Sequence, residues 1–212
     1  MQPDGSWADK IMWITWNYQD SDLPWPLTFE QKVDLFCEQA LGWQLHVADL
    51  VANGGTAFGE GGNREGSLVS PIRHSGFAVL QICLSYFETI GYYTGEPSGS
   101  KAAFQRGVAE VFPGFPSPDP SVAADFAEAL YKDARCGLYH NVRTARVSLG
   151  WPPEPAVDAF DPQSRRVIVN PERLPGGLKA HLEHFRATLL DEGNTELRTT
   201  FSKRFDRDMG AA

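Results

Sequence analysis

From Thr28 onward, apolar residues recur at steps of three and four. Phe29, Val33, Phe36, Ala40, Trp43, Val47 and Leu50 form one stripe on a helix. Thr28 and Gln31 match a capping box at its start, and Asn53-Gly54-Gly55 closes it. A second helix is expected from Ser70-Pro71 to about Tyr93, with Arg73 and His74 in its first turn. Its buried side is Ile72, Val79, Leu80, Cys83, Phe87 and Ile90, widened by Ile82 and Leu84, which marks it as the central helix. A shorter helix over about 101–111 carries Phe104, Val108 and Val111. Asp119 then fits an N-cap with Pro120 at the first helical position, ahead of Val122, Phe126, Ala129 and Leu130. Leu178, Leu182, Phe185, Leu189 and Leu190 define a late amphipathic helix. The stretch 195–208 has few apolar positions (Leu197, Phe201, Phe205) and is expected to pack lightly or to face a partner.

The segments between helices read differently. Residues 54–66 hold six glycines and lack the order of a phosphate-binding loop, so they read as a surface loop or a lid. The four prolines of 113–120 make a stiff linker. After His140 the period shortens: Val147, Leu149 and the run 165–169 read as two strands of a β-hairpin separated by a proline-rich loop. Residues 1–27 contain Trp7, Trp13, Trp16, Tyr18 and Trp25 and no helical pattern. They fit an arm that packs its tryptophans on the body, or a platform for stacked bases. The fold class is therefore mainly α: a four- to five-helix bundle with a small appended β-hairpin near 145–170, one domain over 28–212 and an aromatic arm over 1–27.

Composition narrows the function classes. The chain has 212 residues, 42% hydrophobic and 22% charged, as a globular protein does. No apolar run reaches the length of a membrane span, and no leader pattern opens the chain. Three cysteines without C-x-x-C spacing fit reduced thiols in the cytoplasm. A formal charge of −8 disfavours broad nucleic-acid binding, so an RNA partner requires a local basic patch. His181 and His184, three apart on one helix, lack a third metal ligand in sequence, His46 reads as structural, and no cofactor motif is present.

The chemistry concentrates in Arg135-Cys136-Gly137-Leu138-Tyr139-His140-Asn141. Arginine holds its charge at all working pH values, whereas histidine titrates near neutrality. An arginine can hold a phosphate oxygen while a histidine moves a proton, and in RNA the 2′-hydroxyl supplies the nucleophile, so no metal is required. On a straight helix two residues five apart point roughly 140° away from each other. Cooperation between Arg135 and His140 therefore calls for a distortion, for which Gly137 is the expected place. Lys132, Arg143 and Arg146 add positive charge nearby. A second reading fits the same residues: Arg135 closes a helix C-terminus and His140 begins a turn.

The run resembles the Arg-x4-His motif of the HEPN superfamily (higher eukaryotes and prokaryotes nucleotide-binding), in the form Arg-x-Gly-Leu-x-His. The resemblance implies a homodimeric helical bundle with the motif at its interface. It also implies metal-independent endoribonuclease activity, often within toxin–antitoxin or defence systems. By that resemblance Arg135 and His140 are the catalytic pair; Asn141 and the neighbouring cations Lys132 and Arg143 are the expected contacts to the RNA. Cys136 stands where the family commonly has a polar residue, and Val142 where toxins of this kind often have tyrosine. The alternative is a HEPN-like scaffold that binds a nucleotide or a protein without turnover.

Overall fold

In a computed structural model, the described residues are 14–15, 18, 23–57, 66–141, 144–150, 157–161, 163–164 and 166–209. Trp7, Trp13, Trp16 and Arg143, and most of the glycine-rich loop, lie outside them. Among the described residues the fold is mainly α with two small sheets.

Thr28 caps helix α1 (Phe29–Ala40) through the expected box: its hydroxyl accepts from the Gln31 amide, and the Gln31 side chain accepts from the Thr28 amide. The helix then widens into a π-helical segment, Leu41–Leu45, before α2 (His46–Asn53). The His46 amide bonds the Leu41 carbonyl, one residue further back than in an α-helix. That extra residue moves the apolar stripe along by one. Leu45 and Ala48 are buried, whereas Trp43 and Val47, expected inside, are 52% and 39% exposed. Gly54, at φ 72°, ends α2.

Strands β1 (Gly55–Thr56) and β2 (Leu68–Val69) pair antiparallel and tie the ends of the glycine-rich loop. The chain then stays extended past Pro71, with the Ile72 amide bonded to the Val51 carbonyl, and turns at His74 (φ 62°). The central helix α3 (Gly76–Tyr93) therefore begins later than the proline signal placed it. Arg73 and His74 precede it, and Ile72 is exposed. Half of α3 is buried, from Val79 to Tyr93.

Helix α4 (Ser100–Val111) crosses α3 with backbones in contact at Gly91 and Gly107, where no side chain fits: a Cβ on either would meet a carbonyl oxygen of the other helix at 1.7 Å. Helix α5 (Pro120–Ala129) starts at its expected cap, Asp119, whose carboxylate accepts from the Ser121 amide. It continues through a second π-helical segment, Leu130–Cys136, into the short α6 (Gly137–Asn141).

The β region is a three-stranded sheet, not a hairpin of the two expected strands. Strands β3 (Val147–Leu149) and β5 (Arg166–Val169) pair in parallel. The antiparallel partner of β5 is β4 (Val157–Asp161), within the stretch expected to connect two strands as a loop. A parallel pair needs a long crossover, and β4 occupies it. Phe160 reaches Phe126 of α5, with ring centroids 5.7 Å apart, which anchors the sheet to the bundle.

Helix α7 (Leu174–Leu190) buries Leu178, Leu182, Phe185 and Leu189 as expected. Helix α8 (Thr195–Asp208) does more than pack lightly: Phe201 and Phe205 are fully buried. Phe201 meets Phe29, Phe36, Tyr93 and Phe185, and Asp206 pairs with Lys32 at 2.6 Å. Charge on one face and two phenylalanines one turn apart on the other suffice to dock it. No helix among the described residues is long and apolar enough to cross a membrane.

Candidate functional site

The motif lies on the helix that begins at Pro120. Leu130, Ala134 and Leu138 turn inward and are buried, which directs Arg135, Tyr139 and His140 elsewhere. The expected distortion is present but in another place. Gly137 is helical, at φ −60° and ψ −47°; the wide π-helical turns end immediately before it and include Arg135. A glycine therefore does not break this helix. An inserted residue one turn earlier alters its course.

Arg135 reaches across to α3, where its Nη2 donates to Glu88 Oε2 at 3.1 Å. The two side chains are 29% and 21% exposed, so the pair is half-buried. Burial works against the charge on Arg135, but the Glu88 carboxylate outweighs it and raises the arginine pKa above its ordinary value. The guanidinium carbon also lies 5.9 Å from the centre of the Tyr131 ring and 5.4 Å from that of Tyr139, one turn before and one turn after it. Tyr139 in turn meets the His140 ring edge to face, at 5.0 Å. Tyr139 thus touches both members of the pair, and both Tyr139 and His140 are exposed.

The surrounding charge is more balanced than a list of lysines and arginines implies. Glu128 pairs with Lys132 and with Lys101, each at 2.8 Å, and Asp133 approaches Arg146 at 4.0 Å. Each of the four described cations here (Lys101, Lys132, Arg135 and Arg146) has a carboxylate within 4.0 Å. Those carboxylates hold Lys132, expected to contact RNA, on the protein itself. Asn141 ends α6, its side chain lies outside the described set, and Arg143 falls among the undescribed residues.

Neither Glu88 nor Tyr139 is among the site residues expected from sequence. A signal for Glu88 existed: it is the one charged residue in the 18 residues of α3. An isolated carboxylate in an apolar helix needs a partner.

Two other histidines, His46 and His181, are held by hydrogen bonds. His181 Nδ1 lies 2.8 Å from the Tyr86 hydroxyl. Burial, together with His184 nearby, pushes its pKa down to about 4. His184 is exposed, and no group of three or more metal-binding side chains forms among the described residues. Burial likewise pushes the Cys37 and Cys83 thiols up to about 12, which keeps them protonated.

Comparison with known proteins finds no matching family model, no matching curated protein and no matching solved structure.

Proposed function

We propose that Arg135 and His140 form half of a metal-independent endoribonuclease site, completed by a second copy of the chain. One observation carries the reading: a guanidinium is held by Glu88 and two tyrosines while an exposed histidine stands beside the same Tyr139 ring. A fixed cation suits a phosphate whose negative charge grows in the transition state. An exposed imidazole suits a proton in transit.

In this reaction the RNA 2′-oxygen attacks the adjacent phosphorus, and the bond from phosphorus to the 5′-oxygen breaks. The products are a 2′,3′-cyclic phosphate and a free 5′-hydroxyl. One His140 accepts the 2′-hydroxyl proton, and the other supplies a proton to the departing 5′-oxygen. A single histidine serves both sides poorly, which is why two copies are invoked. Arg135 steadies the non-bridging oxygens. The resemblance to the HEPN superfamily supports the same reading, with RNA as substrate and an antitoxin or defence protein as a further partner.

The test is cleavage of a mixed RNA substrate in excess chelator by the wild-type chain and by His140→Ala. The proposal expects cleavage with cyclic-phosphate ends from the wild type and a loss of at least a hundredfold in the variant. Equal cleavage by the variant, or none by the wild type in chelator, refutes it. The second reading, a binding scaffold without turnover, is favoured by the pairing of Lys132 with Glu128 and of Arg146 with Asp133. It expects RNA or nucleotide binding with no cleavage by either protein.

A further inference from the structure

Tyr139 is the most exposed of the described aromatic residues, at 67%. The Arg135 guanidinium lies over its ring at 5.4 Å, and the His140 ring meets it edge to face at 5.0 Å. Holding the arginine does not call for this ring. Glu88 accepts from Nη2, and the half-buried Tyr131 lies 5.9 Å from the guanidinium on the preceding turn. An aromatic side chain is ordinarily drawn out of water, where its area stabilises the fold. Position 139 keeps one in water, beside the two groups assigned to the phosphate and the proton.

The charge around it points the same way. Lys101, Lys132 and Arg146 each have a carboxylate of the protein within 4.0 Å, and the chain carries a formal charge of −8. A grip on the phosphate backbone alone is therefore poorly supplied. A stacked base adds binding that needs no net charge. Each scissile phosphate in RNA is flanked by two bases, one sugar away on either side. In a duplex the faces of those bases are covered by their neighbours, and the accessible groove offers hydroxyls and base edges. In a single strand the bases splay out and stack on aromatic side chains, whatever the sequence.

We propose that Tyr139 stacks a base next to the scissile phosphate, so that the site takes unpaired RNA and rejects the duplex. The inference rests on the endoribonuclease reading of Arg135 and His140. It adds the substrate class and the residue that selects it.

Cleavage of a single-stranded RNA by the wild-type chain in chelator is first mapped. The oligomer is then remade with an abasic ribonucleotide on the 5′ or the 3′ side of the mapped bond, and the intact oligomer is also annealed to its complement. The wild type is expected to lose about tenfold in kcat/KM on one of the abasic oligomers, and at least as much on the duplex. Tyr139→Ala is expected to lose about tenfold on the intact oligomer and nothing further on that abasic one, because ring and base are two halves of one contact. Tyr139→Phe and Tyr139→Trp should cut as the wild type does, whereas Tyr139→Leu, apolar but not flat, should resemble Tyr139→Ala. No cleavage by the wild type refutes the endoribonuclease reading and this inference with it. Where the wild type cleaves, the stacking role alone is overturned by equal cleavage of the duplex, by a Tyr139→Ala chain of wild-type activity, or by abasic and Tyr139→Ala losses that multiply. A Tyr139→Ala chain that sediments as a monomer where the wild type is a dimer places the ring between copies and overturns it as well.

Discussion

Replacing Gly107 by alanine is the sharpest test of how the bundle holds the motif. In an ordinary helix the change is favourable, because alanine has the higher helix propensity by about 1 kcal/mol. Here the new Cβ would sit 1.7 Å from the Phe87 carbonyl oxygen. A carbon and a carbonyl oxygen need roughly 3.3 Å, so the two backbones must part by roughly 1.5 Å. Neither atom belongs to a side chain that can rotate away. Overpacking of this kind typically costs about 1–3 kcal/mol and more where backbone must move. With about 4 kcal/mol lost and about 1 kcal/mol regained from propensity, the net loss is about 3 kcal/mol. For a chain of this size that lowers Tm by roughly 6–12 °C. Glu88 follows Phe87, so parting the helices also displaces the carboxylate that holds Arg135. Gly176 in α7 is the control: it is exposed, and a Cβ there meets nothing within 4 Å. Gly176→Ala should raise Tm by roughly 1–4 °C. Differential scanning calorimetry of the two variants gives opposite signs if the crossing is as described. A Gly107→Ala chain that melts at or above the wild-type temperature refutes the close approach.

Other outcomes follow from the same structure. Glu88→Ala leaves Arg135 half-buried without its carboxylate, so stability should fall by about 1–3 kcal/mol in urea titration. RNA cleavage should fall more than RNA binding, while Glu88→Gln, which retains an acceptor, should lose less of both. His181 makes the fold sensitive to acid. Its folded pKa, about 4, lies below the ordinary value of 6.5, so the unfolded chain binds the proton first. Its contribution is complete above pH 6.5 and is lost as pH falls to about 4. Partial exposure keeps it below about 3 kcal/mol. His181→Gln should flatten that part of a stability–pH profile, and an unchanged profile would refute the assignment.

The helix caps and stripes were legible because they depend on local chemistry. Thr28 with Gln31, and Asp119 with Pro120, need only the residues beside them. The π-helical segments were not legible. A pattern of threes and fours assumes an unbroken period, and one inserted residue moves burial from Val47 to Ala48. Strand β4 was missed because its alternation is short and its partner, β5, was assigned to β3 alone. The motif itself was visible as Arg135 and His140. Glu88, which decides where Arg135 points, comes from a helix 47 residues earlier, and only its solitary charge in α3 advertised it. Glu128 and Asp133 sat beside the basic residues in the sequence, but whether they paired with the protein's cations or faced solvent depends on tertiary approach.

The contact of α8 with α1 also bears on the order in which the chain acquires its shape. Phe29, Phe36 and Lys32 find their partners Phe201 and Asp206 about 170 residues later. During synthesis α1 leaves the ribosome long before α8 exists. The face of α1 that Phe201 covers stays open until α8 has emerged and closed it. Pairings this distant are entropically late. Between the emergence of α1 and that of α8 the growing chain therefore carries an uncovered aromatic surface, and in that interval a chaperone, or a neighbouring nascent chain, meets it first.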